Sequence, residues 1–290
     1  MSFGTFTIIK NEQAWIGPWL MAWLPFIDEC VFFDGNSTDG TDFIIRKVKE
    51  RHPLGHKITL WNNADPVDLQ DDYVRRQDQA MRLLKTDFAS FMHPDMFPIS
   101  GAENLKNLGK HDAYFYGVRS YAGEPDEPVM YEIPEGRGKK WKNIMRLHNP
   151  DLGLHYHGHY GAGNEDMYFR DITGDSYEFH GESMEHYPYE VGDSGLVVAH
   201  FSDVRKYGRR LGRMISCLIN QGFSKAHAEK IAPDHPRVTF DSRDGFVFSQ
   251  TPVPECLVRA RQAYADFEAS IINERDEWAN NIYQGAKVYK

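Results

Sequence analysis

Cysteine is scarce in this sequence: three of the 290 residues are cysteines, namely Cys30, Cys217 and Cys256. Their odd number and wide spacing exclude a disulfide framework and indicate reduced thiols, so we expect a cytoplasmic protein. Long apolar runs are also missing, since no segment approaches the roughly 18 to 20 residues that span a bilayer. Residues 1–12 show neither the basic nor the apolar region of a signal peptide, which favours the same location.

An excess of positive charge is lacking too. The sequence has 33 lysines and arginines against 42 aspartates and glutamates, a formal net charge of −9. This balance gives no strong nucleic-acid signal and argues against a protein that coats anionic membranes, although a local basic groove stays open. There is no P-loop, nucleophile elbow or Gly-x-Gly-x-x-Gly motif, so kinases, α/β-hydrolases and dinucleotide oxidoreductases are poor candidates.

What the sequence does contain is an alternation of predicted strands and helices over its first part. Apolar runs predict strands at residues 3–10, 30–34, 57–61, 88–92 and 112–121. Apolar residues at helical spacing predict helices at 13–26, 38–51, 70–85 and, behind a capping box of Ser100 and Glu103, 100–108. Apolar strands separated by helices are typical of covered parallel sheets. We therefore expect an α/β fold with a mainly parallel sheet flanked by helices, Rossmann-like in its first half.

The pattern changes after residue 121. It predicts short strands at 129–133 and 143–147, an irregular segment at 246–254, and helices at 205–221, 224–230 and 255–280. The simplest organisation is one α/β domain over residues 1–200, followed by a helical C-terminal extension over residues 201–290. The last helix is amphipathic and suits a dimer interface as well as a core, so the oligomeric state stays open.

Polar residues follow the first two predicted strands. Lys10, Asn11 and Glu12 follow the first strand, and Asp34 and Asn36 belong to the segment DGNSTDGT after the second. Because parallel strand ends meet at one edge of a sheet, these groups could hold a base and a ribose. Asp34 would accept from a ring N–H, and backbone amides near the glycines would meet hydroxyls or phosphate. The alternative is that this segment is simply a turn and a helix cap.

A third group, His93-Pro94-Asp95, follows the predicted strand at 88–92. A carboxylate directly after an apolar strand should emerge at the same edge of the sheet as the first two groups. A carboxylate and an imidazole two residues apart can also face one bound cation. The alternative is a loop aspartate that helps to start the next helix.

Three segments then occur in order at strand-end spacing: IIKNEQAWI, VFFDGNSTDGT and RRQDQAMRLLKTDFASFMHPDMF. Together they resemble the family 2 glycosyltransferases with the GT-A fold, and IMRLHNPDLGLHYHGHY and LVVAHFSDVRKYGRRL resemble later segments more loosely. The resemblance implies a nucleotide-sugar-binding half over residues 1–110 and an acceptor half over residues 111–200. It also implies transfer of a sugar from a nucleotide diphosphate sugar, which we expect to be a UDP-sugar. The acceptor would be a carbohydrate or another hydroxyl-bearing molecule, and transfer would invert the anomeric carbon.

The family's Asp-x-Asp motif is replaced here by His93-Pro94-Asp95. The resemblance implies that Asp95 binds a divalent metal, which would offset the charge on the leaving diphosphate. If His93 joins Asp95, the softer site favours Mn²⁺ over Mg²⁺; alternatively, metal binding is weak or lost. His200 is expected as a late ligand of the same cation, and its alternative role is that of a buried core histidine.

The resemblance also suggests an anion-binding group and a base. Arg75 or Arg76 would lie near the diphosphate or the sugar, unless both arginines belong to a solvated helix face. Glu165 and Asp166 match the segment that supplies the catalytic base in many members, and we favour Asp166. Their alternative role is to stabilise the N-terminus of a helix.

Histidines provide a competing hypothesis. His155, His157 and His159 alternate, so on a strand all three would project from one face and could bind Zn²⁺ or Mn²⁺ that activates water. A metal-dependent hydrolase is therefore the second candidate function. The altered Asp-x-Asp motif makes a non-catalytic sugar- or nucleotide-binding relative the third.

Overall fold

The computed structural model describes residues 1–62, 73–109, 111–124, 127–132, 145–148, 155–157, 168–170, 176–177, 191–204, 211–212, 214–215, 218–219, 222–239, 247–249 and 252–271. Within these ranges, no helix is both long enough and apolar enough to cross a membrane. The helices are α1 (Gln13–Trp23), α2 (Thr41–Arg51), α3 (Tyr73–Arg82), α4 (Lys225–Ile231), α5 (Pro236–Thr239) and α6 (Glu255–Ala269). The strands are β1 (Phe3–Ile9), β2 (Glu29–Asp34), β3 (Ile58–Asn62), β4 (Phe88–Phe91), β5 (Met96–Ser100), β6 (Ala113–Glu124), β7 (Glu127–Glu132), β8 (Met145–His148), β9 (His155–His157), β10 (Tyr168–Arg170), β11 (Ser176–Tyr177), β12 (Val191–Val204) and β13 (Val247–Ser249).

Strands β1 to β4 form the parallel part of the large sheet. β1 lies between β2 and β4, and β3 lies outside β2. Across the ten-stranded sheet the order is β13-β7-β6-β8-β4-β1-β2-β3, and β12 pairs in parallel with β6 and antiparallel with β5. The predicted α/β class, with a parallel sheet flanked by helices, is confirmed, and antiparallel strands join the sheet after β4. A separate antiparallel sheet contains β9, β10 and β11.

Strands β1, β2 and β4 are buried on both faces, to which their successive side chains point in turn. Phe32 contacts Trp19 of α1 edge-on, with ring centroids 5.5 Å apart. Val31 and Phe33, its neighbours in β2, belong to the cluster on the other face, together with Met81 of α3. Burial on both faces explains why this strand shows no polar alternation in the sequence.

The capping box predicted at Ser100 and Glu103 is wrong. Ser100 ends β5, whose backbone pairs with β12, and the chain then turns through Gly101 at a φ of 79°. A Cβ on Gly101 would lie 2.1 Å from the carbonyl oxygen of Gly195, so glycine is required at this turn. The segment that follows, Ala102–Asn107, is a 3₁₀ helix without a side-chain cap.

Residues beyond 200 also pack into this fold. β13 pairs with β7 at one end of the large sheet, so the prediction of an irregular segment over 246–254 is wrong for these residues. Helix α6 packs against α1, where the ring of Tyr264 covers Gly17. Helix α4 begins after Ser224, whose hydroxyl accepts from the His227 N–H, close to the prediction. Much of the helix predicted over 205–221 lies outside the described residues, and the domain boundary at residue 200 stays a prediction.

Candidate functional site

The carboxyl ends of the four parallel strands meet at one edge of the sheet. Ile9 of β1 is in register with Asp34 of β2, and Asp34 is in register with Asn62 of β3. On the other side of β1, Phe6 pairs with Phe91 at the end of β4. Ligands of open parallel sheets bind at this edge. The chain segments that leave the sheet here contain Lys10–Glu12, Asp34–Asn36 and His93–Asp95.

Hydrogen bonds tie the loop after β1 to the loop after β2. The N–H of Asn11 donates to Ser37 Oγ at 2.9 Å, and Asn11 Oδ1 accepts from the Thr38 N–H at 2.8 Å. The N–H of Glu12 donates to Thr41 Oγ1 at 2.8 Å. Asn11 has a φ of 57°, a left-handed conformation that asparagine tolerates better than most residues. Its side chain therefore holds the two loops together, whatever it does for a ligand.

Asp34 lies at the base of these loops, and only 3% of the residue is exposed. Its carboxylate accepts from the Ser37 N–H at 3.2 Å and from the Ser37 hydroxyl. Burial raises the pKa of Asp34, and the two Ser37 hydrogen bonds oppose that shift. Nearby, Asn36 is also left-handed, with a φ of 60°, and Lys10 is exposed. A buried carboxylate beside exposed polar loops can recognise a ligand N–H with little competition from water.

Asp95 and His200, far apart in the sequence, are in contact. His200 Nε2 lies 3.4 Å from Asp95 Oδ1, and Asp95 is 4% exposed. The contact arises because β12 pairs with β5, which places His200 opposite Met96. The Phe201 N–H also donates to the Asp95 carbonyl at 2.9 Å, and the Met96 N–H donates to the His93 carbonyl at 3.0 Å. Asp95 is thus held by a turn on one side and by a strand on the other.

His93 and helix α1 complete the surroundings of this pair. The His93 ring stacks on the His200 ring, with centroids 5.8 Å apart and an interplanar angle of 13°. Its other side meets Phe91 edge-on at 4.6 Å. From α1, Trp23 Nε1 donates to the Met96 carbonyl at 2.8 Å. The turn that carries Asp95 is therefore anchored to the core of the sheet.

The donor atoms of Asp95 and His200 are spaced to bind one cation. Bonds of about 2.1 Å place two ligands of a tetrahedral or octahedral ion about 3.0 to 3.4 Å apart. The observed separation of 3.4 Å lies at the upper end of that interval. Within the part of the chain that the structure describes, no group of three or more His, Cys, Asp and Glu residues could hold a metal. Asp95 and His200 are the two protein donors in place here; His93 stacks on His200, and its role as a further ligand stays a prediction.

The other predicted site residues are divided between the described and the undescribed parts of the chain. Arg76 lies on α3 and is 6% exposed, which excludes the alternative of a solvated helix face for this residue, and its expected place near the diphosphate or the sugar stays a prediction. His155 and His157 lie on β9, which is adjacent to α3. Outside the described residues lie Glu165, Asp166 and His159, together with the side chain of Arg75. Their roles stay predictions.

Trp61 is a candidate site residue that the sequence interpretation did not single out. It lies near the carboxyl end of β3, is 48% exposed, and stacks on Phe33 with centroids 5.9 Å apart and an interplanar angle of 6°. The ring thus presents one flat face to solvent, one position before the residue in register with Asp34. Trp61 shares a strand face with the polar Thr59, while Ile58 and Leu60 point to the other face, and this pattern could have indicated that the face of Trp61 is partly exposed.

Comparison with known proteins gives neighbours among the solved structures. No family model matches the chain, and no curated protein matches it. The crystal structure of S. aureus TarS 1–349 is similar with 13% identity and a TM-score of 0.42, over 84% of this chain and 74% of that one. The mannosyltransferase PcManGT from Pyrobaculum calidifontis, in complex with GDP-Man and Mn²⁺, is similar with 15% identity and a TM-score of 0.42. That match covers 99% of this chain and 82% of the mannosyltransferase. The identities and TM-scores are low, so these likenesses do not assign an activity to the chain.

Proposed function

We propose that this protein is a glycosyltransferase that moves a sugar from a nucleotide diphosphate sugar to a hydroxyl group of an acceptor. The observation that carries the proposal is the contact of the buried Asp95 with the half-buried His200, at the sheet edge where the Asp34 loop also begins. The Asp34 and Asp95 segments resemble motifs of family 2 glycosyltransferases, and the His200 segment resembles a later segment of that family more loosely. We further propose a UDP-sugar as donor, a carbohydrate or another hydroxyl-bearing molecule as acceptor, and inversion at the anomeric carbon.

The Asp34 side of the site suits the nucleoside. A uracil ring offers one N–H between two carbonyl groups, and the buried Asp34 carboxylate can accept from such a donor. Trp61 projects from the sheet face opposite to the Asp34 side chain and offers an exposed indole face near the end of the neighbouring strand, where aromatic stacking with a base would contribute about 1 to 3 kcal/mol. Lys10 is exposed beside this region and would favour an anionic ligand electrostatically.

The Asp95 side of the site suits the diphosphate and a divalent metal. One carboxylate oxygen and one imidazole nitrogen make a mixed donor set, which fits Mn²⁺ better than Mg²⁺, because Mg²⁺ strongly prefers oxygen. A metal bound there would offset the charge that develops on the leaving diphosphate. Asp95 and His200 would hold it, and His93 would restrict the orientation of the His200 ring through their stacked contact. The base that deprotonates the acceptor is assigned to Asp166, with Glu165 as the second candidate.

Calorimetric titration with UDP, GDP and dTDP, each with Mn²⁺, with Mg²⁺ and without metal, tests this proposal. We expect micromolar binding of UDP that requires Mn²⁺. The variants D95A and H200A should lose the metal dependence because each removes one of two protein donors. Asp266→Asn is the matched control, since Asp266 is an exposed carboxylate on α6 that pairs with Gln262.

Three outcomes would contradict parts of the proposal. Equal UDP affinity with and without Mn²⁺ would contradict a role of the metal in nucleotide binding. The charge of the diphosphate would then have to be offset by arginine side chains. Tighter binding of GDP than of UDP would mean that the nucleobase of the donor is guanine and not uracil. GDP is included among the nucleotides because the mannosyltransferase neighbour was solved with GDP-Man. Failure of all three nucleotides, together with one tightly bound Zn²⁺, would favour the hydrolase hypothesis instead.

A further inference from the structure

A column of stacked groups runs from the last described helix to the centre of the large sheet. The Arg261 guanidinium of α6 lies over the Trp15 ring of α1, 5.7 Å from its centroid. Trp15 stacks on Phe201 of β12 at 5.5 Å and 19°, and Phe201 stacks on Tyr121 of β6 at 4.9 Å and 26°. Trp15, Phe201 and Tyr121 are buried, while Arg261 is half-buried. These four residues are called the aromatic column below.

The aromatic column leads directly to the Asp95–His200 pair. Phe201 follows His200 on β12, so the two side chains point to opposite faces of the strand. The Phe201 N–H donates to the Asp95 carbonyl at 2.9 Å. A displacement of Phe201 within the column would therefore move the backbone that supports His200 and would also strain its hydrogen bond to Asp95.

The start of the column is held by the packing of α6 on α1. Tyr264, one turn after Arg261 on α6, covers Gly17 closely enough that an added Cβ would lie 2.3 Å from its ring. Trp15 belongs to the same turn of α1 as Gly17, and α1 begins just after Glu12 in the first site loop. Helix α6 is therefore connected to both sides of the candidate site through α1.

We propose that Arg261 is a positioning residue, which acts through Trp15 and Phe201 to set the place of His200 relative to Asp95. This inference rests on the proposed function, since it assigns a part of the donor site to a helix beyond residue 250. Stacking of the half-buried Arg261 cation on the buried indole favours one ring orientation of Trp15, and that ring packs against Phe201. The C-terminal helix is thus part of the framework of the donor site as well as of the core.

The variant Arg261→Met tests the proposal because methionine keeps the apolar stem of the arginine and removes its planar charge. We expect on the order of a two- to fivefold weaker UDP affinity in the presence of Mn²⁺, measured by calorimetry. In two-dimensional NMR spectra, the ring resonances of His200, assigned with the variant H200Q, should shift, while those of His227 on α4 should not. Arg259→Met is the matched control, since Arg259 lies on the same helix and pairs with Glu255 at the surface.

The conservative variant Arg261→Lys separates positioning from general stability. It retains a cation that can lie over Trp15, so its His200 resonances and UDP affinity should lie closer to the wild type than those of R261M. Unchanged His200 resonances in R261M, or the same shift in R259M, would overturn the inference. If wild-type protein binds no nucleotide, the proposed function fails, and the NMR comparison still decides the positioning role by itself.

Discussion

Replacement of Gly17 by alanine tests the packing of α6 on α1 quantitatively. Gly17 lies in the middle of α1, where glycine costs roughly 0.5 to 1 kcal/mol relative to alanine. Its presence there is explained by the ring of Tyr264. A Cβ on Gly17 would lie 2.3, 2.4 and 2.5 Å from three atoms of that ring. Ordinary carbon contacts are about 3.5 to 4.0 Å, so the overlap exceeds about 1 Å.

The magnitude follows from two opposing effects. Overpacking a filled interface costs about 1 to 3 kcal/mol, and a clash with three atoms of a buried ring should lie at the upper end. Alanine returns up to about 1 kcal/mol through its higher helix propensity. We therefore expect G17A to lower the free energy of unfolding by about 2 kcal/mol. At about 2 to 4 °C per kcal/mol for a chain of this size, the Tm should fall by about 4 to 8 °C.

The assay is thermal and urea unfolding of a double-mutant cycle with Tyr264→Ala. Y264A alone should cost about 3 to 5 kcal/mol because it removes a large buried ring. In that background G17A should be neutral or slightly stabilising, since the clashing atoms are gone. Gly212 is the matched control: it is also helical, and a Cβ added there would meet nothing within 4 Å. G212A should therefore leave the Tm unchanged or raise it.

The reasoning would be refuted by either of two results. Stabilisation of the otherwise unchanged protein by G17A would mean that the Tyr264 ring moves aside at no energetic cost. Destabilisation of the Y264A protein by G17A to the same extent as the wild type would mean that the cost does not arise from the Tyr264 ring. In both cases the packing of α6 on α1 would not be close enough to support the aromatic column.

Three further predictions concern the candidate site and its support. Asp34→Asn should flatten the pH dependence of stability. Burial raises the pKa of Asp34 in the folded protein, so its carboxyl group stays protonated to higher pH there than in the unfolded chain. Wild-type stability should fall as the pH rises above the ordinary value of 3.8, and thermal melts of both proteins across that range measure the difference. Trp61→Ala should weaken UDP binding by about tenfold in calorimetry with little change in Tm, because the ring is half-exposed; equal affinity would remove the stacking role. Lys57→Met should lower the free energy of unfolding, measured in urea, by about 2 kcal/mol. The reason is that Lys57 Nζ donates to the carbonyls of Leu24 at 2.9 Å and Ile27 at 2.6 Å, and methionine leaves both without this donor. An unchanged urea midpoint would show that water replaces the two hydrogen bonds.

Much of the parallel half of the fold was predictable from local sequence patterns. The apolar run at 30–34 became β2 with one residue added, and the first strand and helix were also found within a few residues. Helix α2 begins at Thr41 and not at residue 38, because Ser37, Thr38 and Asp39 are engaged in the hydrogen bonds between the site loops. Strand β5 was missed because Met96–Ser100 contains a proline and shows no alternation. Its strand conformation depends on its partner β12.

The amino-acid sequence by itself determined the parallel strands, their helices and the polar segments that follow β1, β2 and β4. These features depend on residues close together in the chain, whose periodicity and turn chemistry can be read directly. Contacts between distant segments decided that Asp95 meets His200, that Trp61 stacks on Phe33 near the end of β3, and that Arg261 lies over Trp15. Such contacts depend on strand pairing and helix packing between distant segments. No local sequence pattern predicts these contacts, because the residues next to each partner in the sequence are compatible with many other tertiary arrangements.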